Sequence, residues 1–403
     1  MTTTNERDLY YARRLAEMIR CKTVSRKEGF EPEEFLKLRR VIGTLFPLVT
    51  EKAERTILGE DAYLYKLPGK DPGRNVLLMS HHDVVEATGS WQEAPFAGVI
   101  RGGKLWGRGT VDTKTPLFAE FSALEELLLE GFEFPVNVYL FSSHNEEYSG
   151  DGALLAHDYF IGHNIRFDWI SDEGGAVIAP PMPGIGKKCA MIAVHEKGRC
   201  TAQLIAEPQQ GHAGLAGAHR TPVMRMAAFM TEVDEKKPFI RLMPKLNAAA
   251  GEMLGTGCTF KNVSTDDDGT CRAQAFLRCI NDADFAEDLD TLREMADRHG
   301  VQIVLRDEDN EYYKPTSLDS RGYQHVKETA QAVFPYAAVA PFILPAGTDA
   351  RRFTDLSDAV IRFAPIDIDD QQYASVHGEN ENISIDKLPI AVDFYKALLR
   401  NYA

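Results

Sequence analysis

Apolar positions along the chain recur at two spacings, and their alternation predicts an α/β protein. Leu9, Ala12, Leu15 and Ile19 lie at helical spacing, and 33–46 repeats that pattern, so the chain opens with two helices. Ala62-Tyr-Leu-Tyr-Lys-Leu67, the turn former Lys70-Asp-Pro-Gly73 and the apolar run Asn75-Val-Leu-Leu-Met79 read as strand, turn, strand. A short continuous apolar run is the pattern of a strand buried on both faces. Pro116 sits near the start of a long amphipathic helix that continues to Glu130 and stops at Gly131. Two more apolar strands follow, Val136–Ser142 and Phe167–Ile170.

Past the Pro/Gly-rich segment Ala179–Gly184 the texture changes. Strands are predicted over Cys189–Val194, Arg199–Ala206, Cys271–Cys279 and Val301–Leu305, and helices over Pro222–Val233 and Asp282–Arg298. A helix over Gln324–Phe334, a strand over Val360–Phe363 and a closing helix over Ile385–Tyr402 return to the earlier style. The expected fold is α/β, with a mainly parallel sheet flanked by helices and a smaller inserted α+β domain. The boundaries expected are 1–188 and 309–403 for the two parts of the larger domain and 189–308 for the insert.

Length and composition agree with this division. A chain of 403 residues exceeds a comfortable single core, while 44% apolar and 26% charged residues are ordinary for a soluble globular protein. The net charge of -15 argues against a nucleic-acid partner, whose phosphates are held by lysine and arginine. The polar N-terminus has no signal core, and no run approaches the roughly 18 apolar residues of a membrane span. A cytoplasmic protein without membrane association is expected. Six scattered cysteines, none in a Cys-x-x-Cys pair, fit reduced thiols rather than a disulfide framework or a thiolate metal site.

The chemistry collects where apolar strands end. In open α/β sheets, sites form beyond the carboxyl ends of the strands. Met79 is followed by Ser-His-His-Asp83, Ser142 by Ser-His-Asn-Glu-Glu147, and Ile170 by Ser-Asp-Glu-Gly-Gly175. His81 and Asp83 are two apart, so in extended chain they point the same way, one able to ligate a metal and the other to brace it. Gly107 and Gly109 allow close backbone packing around Asp112. Glu146 and Glu147 repel each other, a cost with a use if Glu147 binds metal while Glu146 transfers a proton. His377, in a loop before the last helix, is a further candidate ligand. Imidazole and carboxylate donors without thiolate suit Zn²⁺, with Co²⁺ or Mn²⁺ as substitutes, and Asp112 could bridge two ions. His212 could stabilise a developing oxyanion, and Arg278 and Arg351 could hold a substrate carboxylate. Taken singly, each cluster also reads as ordinary structure: a satisfied buried histidine, a turn aspartate, exposed glutamates, surface arginines.

Together the segments resemble a known family. Ser80-His-His-Asp-Val-Val85, Trp91-Gln-Glu-Ala-Pro-Phe96, Leu105-Trp-Gly-Arg-Gly-Thr-Val-Asp112, Asn145-Glu-Glu147, Asp172-Glu-Gly-Gly175, Gly211-His-Ala213, Gly347-Thr-Asp-Ala-Arg351 and Val376-His-Gly-Glu-Asn-Glu381 occur in the order found in the aminoacylase/carboxypeptidase family of dinuclear zinc metallopeptidases. The resemblance is to its carboxypeptidase S-like and N-acyl amino acid hydrolase branch.

It implies a zinc-peptidase-like catalytic domain with an inserted lid that dimerises, and two Zn²⁺ per chain. His81, Asp112 and Asp172 would hold one ion, and the bridging Asp112 with Glu147 and His377 the other. Asp83 would orient His81, Glu146 would be general acid/base, and His212 would match a lid histidine that stabilises the tetrahedral intermediate. Relatives differ over which acid of the Asp172–Glu173 pair meets the metal, and Asp172 is the one favoured. Asn145 stands where an aspartate is usual, Thr115 where a glycine is usual, and Asn262 begins only a poor version of the family's asparagine segment. The expected function is hydrolysis of an amide or peptide bond next to a free carboxylate, by a metal-activated water, in small-molecule or short-peptide substrates. A non-catalytic dimeric binding protein on the same fold is the alternative.

Overall fold

The structure, a computed structural model, describes residues 5–181, 184–208, 221–239, 256–279, 282–305 and 313–402. The chain divides into two compact units. The first comprises Met1–His195, Lys314–Phe342 and Thr348–Ala403, and the second Glu196–Tyr313 with Ile343–Gly347.

The first unit is built on a nine-stranded mixed sheet. Its order runs Glu54–Leu58, Ala62–Leu67, Val136–Ser142, Asp71–Met79, Trp169–Asp172, Val360–Arg362, Lys188–Glu196 and Ala337–Leu344, with Val177–Ile178 paired to Lys188–Glu196. The four central strands, from Val136–Ser142 to Val360–Arg362, are parallel, and antiparallel pairs flank them. The strands around the predicted turn at 70–73 are not neighbours, because Val136–Ser142 lies between them. Nothing in a local pattern of apolar residues reveals such an insertion.

The period of two is visible in how the central strands are used. Val76 and Leu78 enter the core beneath the helices Glu6–Ile19, Lys114–Leu129, Arg321–Val333 and Leu388–Arg400. Leu77 and Met79 enter the opposite core with Phe160 of the helix Gly152–Gly162 and Phe353. Both faces are therefore dry, and each buried Leu or Phe contributes about 1.5–3 kcal/mol. Burial on both faces leaves the strand ends as the exit for polar chemistry. Helix Lys114–Leu129, expected to be amphipathic, is instead buried almost all round, as befits a helix that is largely apolar on every side.

The second unit has a four-stranded antiparallel sheet ordered Gly257–Thr265, Cys271–Cys279, Gly198–Ala206, Gln302–Leu305. Alternate residues of Gly198–Ala206 and Cys271–Cys279 are buried, and helices Pro222–Lys236 and Asp282–Arg298 pack on the sheet. It has its own core, including Leu204, Phe229, Leu277 and Leu292. Strand Lys188–Glu196 was expected here from Cys189 onward, yet it belongs to the first sheet, so the second unit begins at Glu196. An apolar strand next to another apolar strand carries no local mark of the sheet it joins. Among the described residues, no helix is long and apolar enough to cross a membrane.

Candidate metal centre

Beyond Met79 the chain stays extended through Ser80–Val84, where Val84 bridges to Val24. Successive side chains alternate sides. His81 points to one side, where Nε2 lies 3.0 Å from Asp112 Oδ1 and Nδ1 lies 3.2 Å from Asp83 Oδ1. His82 points to the other, stacked on Tyr63 with centroids 4.2 Å apart and Nδ1 2.9 Å from Ser142 Oγ.

Asp112 arrives through the glycine-rich turn. A Cβ on Gly107 would lie 2.4 Å from Ile19 Cγ2, and one on Gly109 would lie 2.9 Å from Val84 Cγ1, both with φ in the left-handed region. Glycine at 109 lets the turn lie against Val84 of the His81 segment, and glycine at 107 lets it lie against Ile19 of helix Glu6–Ile19. Asp112 Oδ2 is 3.0 Å from His377 Nε2, and that nitrogen is also 2.9 Å from Glu147 Oε2. The two oxygens of Asp112 thus face different imidazoles. His81, Asp112 and Glu147 offer ligand atoms that all lie within 4.8 Å of one another.

Asp83 ties two strand ends together. It accepts from Ser25 Oγ at 2.6 Å, and from the backbone N–H groups of Glu146 and Glu147 at 3.2 Å each. It braces His81 and at the same time fixes the turn that carries the paired glutamates. Burial favours its neutral form, but His81 and Ser25 outweigh burial and hold Asp83 below the usual carboxylate range.

Asp172 is the favoured ligand of its pair, and both of its oxygens also accept backbone hydrogen bonds. Its Oδ1 accepts from Glu173 N at 2.9 Å and its Oδ2 from Ala350 N at 2.8 Å. Glu173 feels the charges of Asp112, Asp172, His81 and Glu147. The strand ends at Asp172, so the bend that follows, rather than strand alternation, sets the direction of Glu173.

Arg351, the expected partner of a substrate carboxylate, is buried next to the cluster. It is only 5% exposed, donates to Thr348 O at 2.6 Å and lies 4.0 Å from Glu146 Oε1, so it stands beside the glutamate rather than in an open cradle. Arg278 belongs to the second unit, where its guanidinium covers the Phe276 ring at 5.2 Å. Asn262, at a bulge in Gly257–Thr265, bonds to Gln274. His212 lies outside the described residues. Asn145 anchors the start of helix Gly152–Gly162 through Gly152 N and Asp151, and Thr115 Oγ donates to Thr110 O.

The electrostatics are those of a cation site. Glu146 and Glu173 are pushed well above the usual range, and Glu147 above it, by burial first and then by neighbouring carboxylates. Asp349, bonded by Ser143 Oγ, is raised too, chiefly by burial. Burial opposes charge on His81, but Asp112 and Asp83 outweigh it and raise its pKa well above the ordinary value. His377 is raised to about 10 by Asp112 and then Glu147. So much negative charge around two imidazoles suits a divalent ion, and the imidazole and carboxylate donors are those Zn²⁺ accepts.

Comparison with known proteins decides the family. The profile described as "Peptidase family M20/M25/M40" matches residues 77–401. The chain belongs to the M20/M25/M40 peptidase family. This M20 chain is 27% identical over 450 residues to a probable carboxypeptidase S-like 2 of Dictyostelium discoideum, covering 98% of this chain and 85% of that one. It is also 27% identical over 413 residues to the human N-fatty-acyl-amino acid synthase/hydrolase PM20D1, covering 90% and 81%. Its fold matches an M20 family metallo-carboxypeptidase, Sso-CP2 of Sulfolobus solfataricus, with a TM-score of 0.70, 18% identity and coverage of 98% and 99%. The Bacillus subtilis YXEP protein, a dinuclear metal binding peptidase of the M20 family, matches with a TM-score of 0.64 at 13% identity, covering 98% and 100%. As an M20 peptidase the chain is a metal-dependent hydrolase of amide or peptide bonds.

The residues that sequence reasoning left without a role are Ser25 and the pair Arg108–Glu381. Ser25 gives no local signal. Arg108 and Glu381 stand inside two of the motifs but carry no pattern that announces their partnership.

Proposed function

We propose that this M20 peptidase cleaves an amide or peptide bond next to a free carboxylate, as a carboxypeptidase, dipeptidase or N-acyl amino acid deacylase, with two Zn²⁺ ions. His81, Asp112 and Glu173 would hold one ion and Asp112, Glu147 and His377 the other, with Glu173 replacing Asp172 in the expected set. The observation that carries this reading is the bridging posture of Asp112, one oxygen 3.0 Å from His81 and the other 3.0 Å from His377. When bound, such ions polarise the scissile carbonyl and make a water nucleophilic near neutral pH.

The protein's own groups do the rest. Glu146 takes a proton from the attacking water and returns it to the leaving amine. Its raised pKa supports that role, because a buried carboxyl can hold a proton near neutrality where a solvated one cannot. Asp83, bonded to the backbone of Glu146 and Glu147 as well as to His81, keeps base and ligands in one frame. Arg351, 4.0 Å from Glu146, offers a cation to the ionised base. Arg278 is the candidate for the substrate carboxylate and His212 for the oxyanion. The second unit, whose sheet has Gly257–Thr265 as an edge strand, is the candidate lid and dimerisation domain. Six free thiols fit a reducing, cytoplasmic setting.

Metal content per chain, measured together with hydrolysis of a panel of dipeptides and N-acyl amino acids, tests this reading. Two Zn²⁺ per chain and turnover of at least one class are expected. Glu146→Ala is expected to keep its metal and lose about 10²–10⁴ in turnover, the range of a general acid/base. Loss of metal in that variant would make Glu146 a ligand and overturn the assignment.

A further inference from the structure

The turn that presents Asp112 and the loop that presents His377 are joined through one buried ion pair. Glu381 is 0% exposed, and its carboxylate takes four donors. Oε2 accepts from Arg108 Nη1 at 2.7 Å and Gly109 N at 3.1 Å, and Oε1 from Val111 N at 2.6 Å and Asp112 N at 3.1 Å. Backbone N–H groups of a turn that converge on one point form an anion-binding concavity. Here the anion comes from the protein. Arg108 Nη2 reaches on to Gly378 O at 2.9 Å, the carbonyl next to His377.

We infer that Glu381 is a positioning residue for the metal centre: it fixes the peptide plane of Asp112, and hence the direction in which the bridging carboxylate leaves the backbone, while Arg108 transmits the same constraint to His377. This rests on the metal-hydrolase reading above. The anion itself is required. A glutamine would keep one acceptor oxygen but turn an NH₂ toward Arg108 and the Gly109 N–H, donor against donors. An aspartate would keep the charge but fall a methylene short of spanning all four.

The test compares the full chain with Glu381→Gln, Glu381→Asp and Arg108→Lys. Zn²⁺ affinity is measured by competition with a chromophoric chelator, the d–d absorption of the Co²⁺-loaded forms is recorded, and kcat and KM are determined on whichever N-acyl amino acid or dipeptide the wild type cleaves. Glu381→Gln is expected to lose about 10–100-fold in metal affinity, as supports of metal ligands do, and to show an altered Co²⁺ spectrum. Its kcat should fall at least about tenfold while KM stays within about threefold, and Glu381→Asp should recover part of both. A merely structural role would lower the yield and melting temperature but leave the spectrum of the folded fraction unchanged. Folded Glu381→Gln with wild-type affinity and spectrum would overturn the inference. Should that variant not fold, Arg108→Lys decides, since it keeps the charge on Glu381 but loses the fork to Gly378, and wild-type affinity and spectrum there also overturn it. If the wild type itself binds no metal, the functional reading fails instead.

Discussion

His81 and His82 leave the same strand end on opposite sides, and the two sides treat an imidazole in opposite ways. On the side of the proposed centre, Asp83 and Asp112 flank His81 and favour its charged form. On the packed side, His82 is fully buried, stacked on Tyr63 and edge-on to Phe35, and burial above all drives its pKa well below the ordinary value. The acidic pair at the end of the adjoining strand, Trp169–Asp172, shows a contrast of its own. Glu173 shares the field of Asp112 and Glu147, while Asp172 spends its oxygens on the backbone N–H groups of Glu173 and Ala350. Residue type alone assigns none of these roles. For the two histidines the alternation of side chains does, and a shift of one residue would exchange their surroundings.

The comparison is broken most directly at the histidines. His81→Ala is expected to lower metal affinity by more than about 100-fold, beyond the 10–100-fold typical of residues that only support a ligand. His82→Ala should leave metal binding nearly intact and cost about 3 kcal/mol of stability, the scale of removing a buried ring. Equilibrium dialysis and urea unfolding separate the two outcomes, and a large metal defect in His82→Ala would abolish the distinction.

The acids give a smaller version of the same test. Glu173→Gln is expected to reduce bound metal toward one ion per chain with little change in unfolding. Asp172→Asn should retain both ions and lose about 1–3 kcal/mol, because an amide can accept only one of the two backbone N–H bonds well. The reverse pattern would restore Asp172 as the ligand.

The smallest effect is in pH. In metal-stripped protein, the raised pKa of His377, about 10, means its stabilisation is fully present below the ordinary value near 6.5 and is lost as pH rises through 10. The raised carboxyls of Glu147 and Glu173 act in the same direction, since each holds a proton in the folded state that it would lose on unfolding. Stripped protein should therefore melt at progressively lower temperature from about pH 6.5 to 10. Zn²⁺ uptake at pH 7 should release at least about one proton, because ligating imidazoles must be neutral. Calorimetric titration in buffers of different ionisation enthalpy counts it, and no release would mean the imidazoles are already neutral.

Much of this was legible from residues alone. Apolar runs that stop before His81, Glu147 and the Asp172–Glu173 pair marked three strand ends that bear the proposed centre, and the glycines at 107 and 109 marked the close turn around Asp112. Three things lay beyond that reading for physical reasons. Which sheet takes Lys188–Glu196 depends on long-range pairing that apolar patterning does not encode. Which acid of 172–173 faces inward depends on where the strand stops, to within one residue. The services of Ser25, Arg108 and Glu381 run through side-chain and backbone groups distant in sequence, so local patterns are silent about them.

One tie has a practical meaning for how the chain is cut. Lys114, two residues past Asp112 and fully buried, donates to Cys21 O at 2.7 Å and Met18 O at 3.3 Å, while Thr23 Oγ donates to His82 O and Ser25 Oγ to Asp83. These partners all precede residue 77, where the family match begins. The stretch matched by the family profile is thus narrower than the stretch these bonds tie together. An expression boundary drawn at the homology limit would leave a buried ammonium and a bracing carboxylate without the groups that complete them, and the strand end that opens the metal centre would lose its floor.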